Sequence, residues 1–151
     1  MSTCEKFWSK PSEGEVNLGH TWVTTKSEVQ VSEVPGLIKR RLFINVEGVG
    51  SSHQVIQYHF TKWPKQGVPR DPSNIVQLCS IVRNNLKMGD GSCIVHCNDS
   101  VGRTGIMIAL LQMMDVVDSR EPDIDVFTTV LKLRTDRMLM VKYTLTRLIL
   151  N

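Results

Sequence analysis

The run Ile94-Val95-His96-Cys97-Asn98-Asp99-Ser100-Val101-Gly102-Arg103-Thr104-Gly105 constrains what this chain can fold into more than any other stretch. Its apolar lead-in, cysteine, five intervening residues and arginine predict a short buried strand over 92–95, a loop, and a helix from Arg103 to about Val117. A strand-loop-helix connection aims several loop N–H groups at one point, and the positive end of the helix dipole faces the same point. A cysteine held there has its thiolate stabilised by those donors and by a neighbouring guanidinium. Arg103 can grip two oxygens of a tetrahedral anion through its planar fork, which a lysine cannot do. The stretch therefore reads as a phosphate cradle around Cys97, in preference to a core cysteine that happens to precede a helix.

Spacing and punctuation outline the rest. To about Phe60 the chain is β-rich: Leu42, Ile44 and Val46 alternate with Arg41, Phe43 and Asn45, and Ile56, Tyr58 and Phe60 alternate with Gln57 and His59. Gly48 to Ser52 is a turn-rich link, so these two strands form an antiparallel hairpin. Shorter extended stretches are expected near Thr21 to Thr25 and Val29 to Val31. Trp63-Pro64-Lys65-Gln66-Gly67-Val68-Pro69, with its prolines and glycine, is a surface loop. Asp71-Pro72 reads as a helix cap followed by proline at the first helical position, with Ile75, Leu78, Cys79, Val82 and Leu86 on one apolar face. The helix opened by Arg103 is apolar on nearly every side and is expected to be central and buried. Asp123 is read as the cap of a further helix carrying Val126, Val130 and Leu133, and a last helix is expected from about Lys142 to Leu150. This order of elements gives an α/β fold, a twisted mixed β-sheet flanked by helices, as one domain over residues 1–151.

Composition narrows the function classes. Eighteen Lys and Arg against 15 Asp and Glu leave a net charge of +3, which suits an anionic substrate and does not indicate nucleic acid. The basic cluster Lys39-Arg40-Arg41 reads as a solvated strand end. No apolar run is long enough to span a bilayer and no secretory pattern opens the sequence, so no membrane partner is expected. Cys4, Cys79, Cys93 and Cys97 form no Cys-x-x-Cys pair and no zinc spacing, so neither metal nor cofactor is expected, and Cys79 and Cys93 are read as core. A nucleophilic thiolate needs a reducing compartment, which points to the cytoplasm.

The apolar run together with His96, Cys97, Gly102, Arg103, Thr104 and Gly105 resembles the signature of the cysteine-dependent protein tyrosine phosphatases, His-Cys, five residues, then Arg-Ser/Thr-Gly. The resemblance implies Cys97 as nucleophile, Arg103 as the clamp on the phosphoryl oxygens, and Thr104 as the hydroxyl that helps the thiolate leave. It implies a cradle made by Asn98, Asp99, Ser100, Val101, Gly102 and Arg103, with His96 in support. The loop from Trp63 to Pro69 resembles the family's Trp-Pro-Asp loop, which closes over substrate, with Lys65 where the family carries its general acid. Ser32-Glu33 is similar to the segment whose glutamate braces the signature arginine, implying that Glu33 orients Arg103. Met140-Val141 matches the pair ahead of two water-positioning glutamines, and Lys142 and Thr146 stand in their places.

These departures bear on activity. General acid catalysis contributes roughly 10²–10⁴ in rate, so Lys65 implies impaired turnover. Asn98-Asp99-Ser100 replaces the usual Ser-Ala-Gly: Ser100 must reach backbone angles that come more easily to glycine, and Asp99 sets a negative charge beside an anion site. An aspartate at this position also occurs in the myotubularin branch, which acts on phosphoinositides, whereas the Trp-Pro loop favours the tyrosine-specific branch. Cys4-Glu5-Lys6-Phe7-Trp8 resembles a stretch well inside the complete family domain, so the chain is expected to lack the N-terminal part of that domain, including its phosphotyrosine-recognition loop and one sheet strand. A sheet edge left unpaired would be a site for self-association. The compact, degenerate pattern also resembles the phosphatase families of wasp-associated polydnaviruses, which implies a viral protein in the host cytoplasm.

The resemblance implies a tyrosine phosphatase-like protein that dephosphorylates phosphotyrosine proteins through a cysteinyl-phosphate at Cys97, with impaired turnover. The alternative is an inactive pseudophosphatase that binds phosphotyrosine proteins and interferes with host signalling. A third reading is a remnant with no working site.

Overall fold

The computed structural model describes residues 6–64, 67, 69, 71–87, 91–119 and 123–142. Cys4, Lys65, Thr146 and the helix expected after Lys142 lie outside the described residues. The chain forms two compact units, Met1–Trp63 and Pro64–Asn151.

The first unit is an antiparallel sheet of four strands in sequence order, β1 (Glu15–Asn17), β2 (Thr21–Gln30), β3 (Leu37–Val46) and β4 (His53–Phe60). The hairpin expected around Gly48 forms, pairing Ile44 with His53 and Leu37 with Phe60 across β3 and β4. The two short stretches expected near Thr21 and Val29 are one strand, interrupted by a bulge between Thr25 and Ser27. That bulge has a consequence. Thr25 pairs with Leu42 and Glu28 pairs with Arg40, a step of three residues on β2 against two on β3, so the extra residue turns Glu28 toward the face that buries Thr25. Sequence periodicity alone would have put Glu28 on the opposite face.

Glu28 matters because Arg40 is not a solvated strand-end cation, as its basic neighbours suggested. It is 5% exposed. Its Nε donates to Glu28 Oε2, Nη1 donates to Gln57 Oε1 at 2.9 Å and meets His59 Nδ1 at 3.1 Å, and its guanidinium lies 4.9 Å from the centre of the Trp8 ring. Lys39 and Arg41, on the other face, are exposed. Val23 and Leu42 are buried on the face of this network, while Leu37 and the turn residue Val34 are buried at the start of β3.

The second unit is helical: α1 (Ser73–Lys87), α2 (Gly102–Asp118) and α3 (Val126–Asp136). Asp71 caps α1 as expected, accepting from the Ser73 N–H at 2.9 Å, and Ile75, Leu78, Cys79 and Val82 are buried while Leu86 is exposed. α2 buries Thr104, Gly105, Ile106, Met107, Ala109 and Met113, but its last turns are amphipathic. Asp115 and Asp118 there bind Arg83 of α1, with both Nη2 contacts at 2.7 Å. The cap of α3 is Asp125, not Asp123: its carboxylate accepts from the Thr128 N–H at 2.9 Å, the ordinary reach of a cap to the third helical residue.

The strand expected over 92–95 is not formed. The segment has no ladder partner among the described residues, Ile94 is 87% exposed, and Cys93 is exposed where a core position was expected. An apolar run becomes a buried strand only where neighbouring strands take up its N–H and C=O groups. The sheet is completed by strands adjacent in sequence, which close as hairpins, and it is antiparallel throughout among the described residues. The chain is accordingly α/β, with its described strands in the first half and its described helices in the second, and among the described residues β4 lies at a sheet edge.

Candidate active site

The loop from Cys97 to Val101 runs into α2, and its geometry is set by one residue. Ser100 has φ of +52°, the left-handed region that glycine enters most easily. The serine reaches it, so the departure from glycine does not stop the loop from turning. The turn brings the thiol of Cys97, the carboxylate of Asp99 and the first turn of α2 together. Thr104 Oγ1 donates to Cys97 Sγ at 3.2 Å, the contact that stabilises negative charge on sulfur.

Asp99 takes the remaining positions. Its Oδ1 accepts from Cys97 Sγ at 3.3 Å, from the Val101 N–H at 3.1 Å and from the Gly102 N–H at 3.3 Å. The Val101 N–H first, then the thiol, the Gly102 N–H and the charge of Lys142, hold its carboxyl below the usual carboxylate range. These are the main-chain donors expected to cradle an anion. Cys97, Asp99, Val101, Gly102 and Thr104 are thus gathered at one point, while Asn98 and His96 are exposed beside it.

Arg103 projects from the first turn of α2 and its Nη2 donates to the Pro64 carbonyl at 2.8 Å, tying the signature arginine to the Trp-Pro loop. Lys65, which the resemblance places at the general-acid position, lies outside the described residues. Trp63 and Glu33 belong to the first unit, where Trp63 is half-buried and Glu33 is exposed with its carboxylate accepting from Ser32 Oγ at 3.0 Å. The backbone and hydroxyl of this Ser32-Glu33 pair hold the Glu33 carboxyl below its ordinary value.

The segment Met140-Val141 docks onto the start of α2, and this support was not anticipated. The Val141 N–H donates to the Val101 carbonyl at 3.1 Å, and Arg134 of α3 donates through Nε to the Met140 carbonyl at 3.0 Å. The approach is possible because residue 105 is glycine: a Cβ there would lie 2.4 Å from the Val141 nitrogen. Val141, a β-branched residue, is held at φ of +60°, a conformation that persists only where surrounding contacts enforce it. Arg137 reaches the Asp99 carbonyl from beyond α3 at 3.5 Å. Lys142 follows directly, which is how a residue distant in sequence comes to act on the charge of Asp99. Arg134 had one sequence signal, a basic residue in the last turn of a helix where free carbonyls collect; Arg137 had none.

Of the other thiols, Cys79 is packed in the core with its sulfur 3.4 Å from that of Met107, and burial pushes it up to about 12, so it carries no nucleophile. No group of three or more His, Cys, Asp or Glu side chains among the described residues could hold a metal ion, and no helix there is long and apolar enough to cross a membrane.

Comparison with known proteins meets this site from outside. The family model for protein-tyrosine phosphatase matches residues 1–147 and so spans both units. The human receptor-type tyrosine-protein phosphatase alpha is 33% identical over 140 residues, covering 92% of this chain and 17% of that protein. The human receptor-type tyrosine-protein phosphatase C is 30% identical over 139 residues, covering 92% of this chain and 10% of that protein. The mouse tyrosine-protein phosphatase non-receptor type 4 is 30% identical over 141 residues, covering 92% of this chain and 14% of that protein. The chain spans less than a fifth of the length of these relatives. With a thiol on the loop that enters α2, an arginine and a hydroxyl on the first turn of that helix, and a family match over nearly its whole length, the chain belongs to the protein-tyrosine phosphatase family.

Proposed function

We propose that the chain acts on phosphotyrosine proteins through a phosphocysteine at Cys97, with slow turnover. The observation that carries this reading is the Thr104 hydroxyl on the Cys97 sulfur at the N-terminus of α2. In the first step the Cys97 thiolate attacks phosphorus, the bond from phosphorus to the tyrosine oxygen breaks, and that oxygen takes a proton from solvent water. Arg103 and the loop N–H groups stabilise the charge on the equatorial oxygens. In the second step water displaces the sulfur, phosphate leaves, and Thr104 helps sulfur regain its charge. Lys65 at the acid position and Lys142 and Thr146 at the glutamine positions make both steps slow. His96 supports the loop.

A pseudophosphatase that binds phosphotyrosine proteins without releasing phosphate is the second reading. It draws on Lys142, whose charge acts on Asp99 and whose ammonium, having donors only, cannot accept a hydrogen bond from an attacking water as an amide oxygen does. The likeness to polydnavirus phosphatases makes host phosphotyrosine proteins in a reducing cytoplasm the substrates to try first.

The test is incubation with a phosphotyrosine peptide and with an aryl phosphate, followed by acid quench and mass spectrometry of the Cys97 peptide. Product release above a Cys97→Ser control, with phosphate trapped on Cys97, is the expected result. Restoring the acid with Lys65→Asp should raise turnover on the peptide by roughly 10² or more. Folded protein that yields neither product nor phosphocysteine overturns the enzymatic reading, and peptide binding retained in that case favours the pseudophosphatase.

A further inference from the structure

Among the described residues, Asp99 is the one anionic side chain whose oxygen sits on the donors of the Cys97 loop. We propose that Asp99 is a specificity-determining residue, a tethered competitor that an incoming phosphate must displace; this rests on reading the loop as a phosphate cradle.

Three contacts carry the inference. One oxygen, Oδ1, collects the Val101 and Gly102 N–H groups and the Cys97 thiol within 3.1–3.3 Å. Satisfying the main-chain donors at the start of α2 needs only the two N–H contacts. The contact with sulfur adds something that role does not require, because a thiol that donates to a carboxylate is held in its protonated, less nucleophilic form. Asp99 therefore occupies the position of an anionic ligand and restrains the nucleophile with the same atom. The carboxylate is exposed and sits on a loop, so rotation about its own side-chain bonds releases all three groups without unfolding α2. Arg137 on the Asp99 carbonyl holds the backbone while the side chain leaves, and Lys142 offsets part of its charge.

Tethering makes the competition effective. A carboxylate attached to the loop it binds acts at a high local concentration, so a free ligand must offer more than it does. A phosphate monoester dianion brings two charges and several acceptor oxygens to the same donors. A carboxylate or a phosphodiester, with one charge, offers the loop little that Asp99 does not already supply. The loop is thereby set to pass over singly charged anions and to bind dianionic phosphate more weakly than a loop without the aspartate would.

Affinity and stability move in opposite directions under this inference. Asp99→Ala should bind inorganic phosphate about tenfold more tightly than the wild type, about 1.4 kcal/mol, while its melting temperature falls because the Val101 and Gly102 N–H groups lose their acceptor. Asp99→Asn, which keeps an acceptor oxygen and loses the charge, should fall between them in both respects and serves if the alanine variant does not fold. In parallel, the ratio of iodoacetate to iodoacetamide reaction at Cys97, resolved by peptide mass spectrometry, should rise in both variants because the repelling carboxylate has gone. Equal phosphate affinity in folded wild type and variants, or weaker affinity in the variants, overturns the inference and leaves the cradle intact. Absence of phosphate binding in all of them overturns the cradle and the inference together. An unchanged alkylation ratio overturns the contact between Asp99 and Cys97 whatever phosphate does.

Discussion

Each unit of the molecule satisfies a charged group from within the chain, and the two groups differ in what a competitor could do. In the sheet, Arg40 of β3 is enclosed by Glu28, Gln57, His59 and the face of Trp8, contributed by the two flanking strands and the segment before the sheet. In the helical unit, Asp99 is exposed and its partners are two loop N–H groups and a thiol. Removing one partner from the first network strands buried polar groups away from water. Removing Asp99 leaves donors that water or another anion can reach. Similar chemistry is structural where it is enclosed from several elements and replaceable where it is exposed on one loop.

Substitutions can break that contrast. The largest effect is expected at Arg40→Met, which should lower unfolding free energy by about 3 kcal/mol, read by urea denaturation, while leaving aryl phosphate turnover per folded molecule unchanged. A loss well under about 1 kcal/mol would make the Arg40 network equivalent to a surface pair. Gly105→Ala should follow, at about 2 kcal/mol, because its Cβ would meet the Val141 backbone and push Met140-Val141 off the start of α2. Unlike Arg40→Met, it should also lower turnover, so the two variants separate support of the site from support of the sheet. Thr25→Val should act in the opposite direction and raise stability by about 1 kcal/mol, since the Thr25 hydroxyl is buried with no partner among the described residues.

The smallest effect concerns pH. The folded carboxyl of Asp99 is held below its ordinary value by the Val101 N–H and then by the Cys97 thiol. A depressed carboxyl stabilises the folded chain in full above the unfolded value of about 3.9, and that contribution disappears as pH falls through the lower folded value. Urea midpoints measured downward from pH 6 should therefore show an acid-side loss that is smaller in Asp99→Asn. An identical acid limb in both proteins would mean that Asp99 gains nothing from its loop contacts.

Much of the fold could be read from local pattern, and the exceptions share a cause. The β3–β4 hairpin, the Asp71 cap, the apolar face of α1 and the start of α2 depend on neighbours in sequence, and all are present. The expected strand over 92–95 failed because a buried strand requires partners that periodicity cannot supply. Arg40 was misplaced because the bulge at Lys26, invisible in residue type, turned Glu28 toward it.

The sequence alone determined which groups the candidate site offers: a thiol, an arginine and a hydroxyl spaced to share one loop and one helical turn. Tertiary structure decided the remainder. It turned Ser100 into the left-handed region and so delivered the Asp99 carboxylate onto the loop donors. It also brought Val141 against Gly105, with Arg134 holding the docked segment. Those outcomes depend on which backbones approach one another in space. A residue's type states what it can bond to, and only packing states what lies within reach.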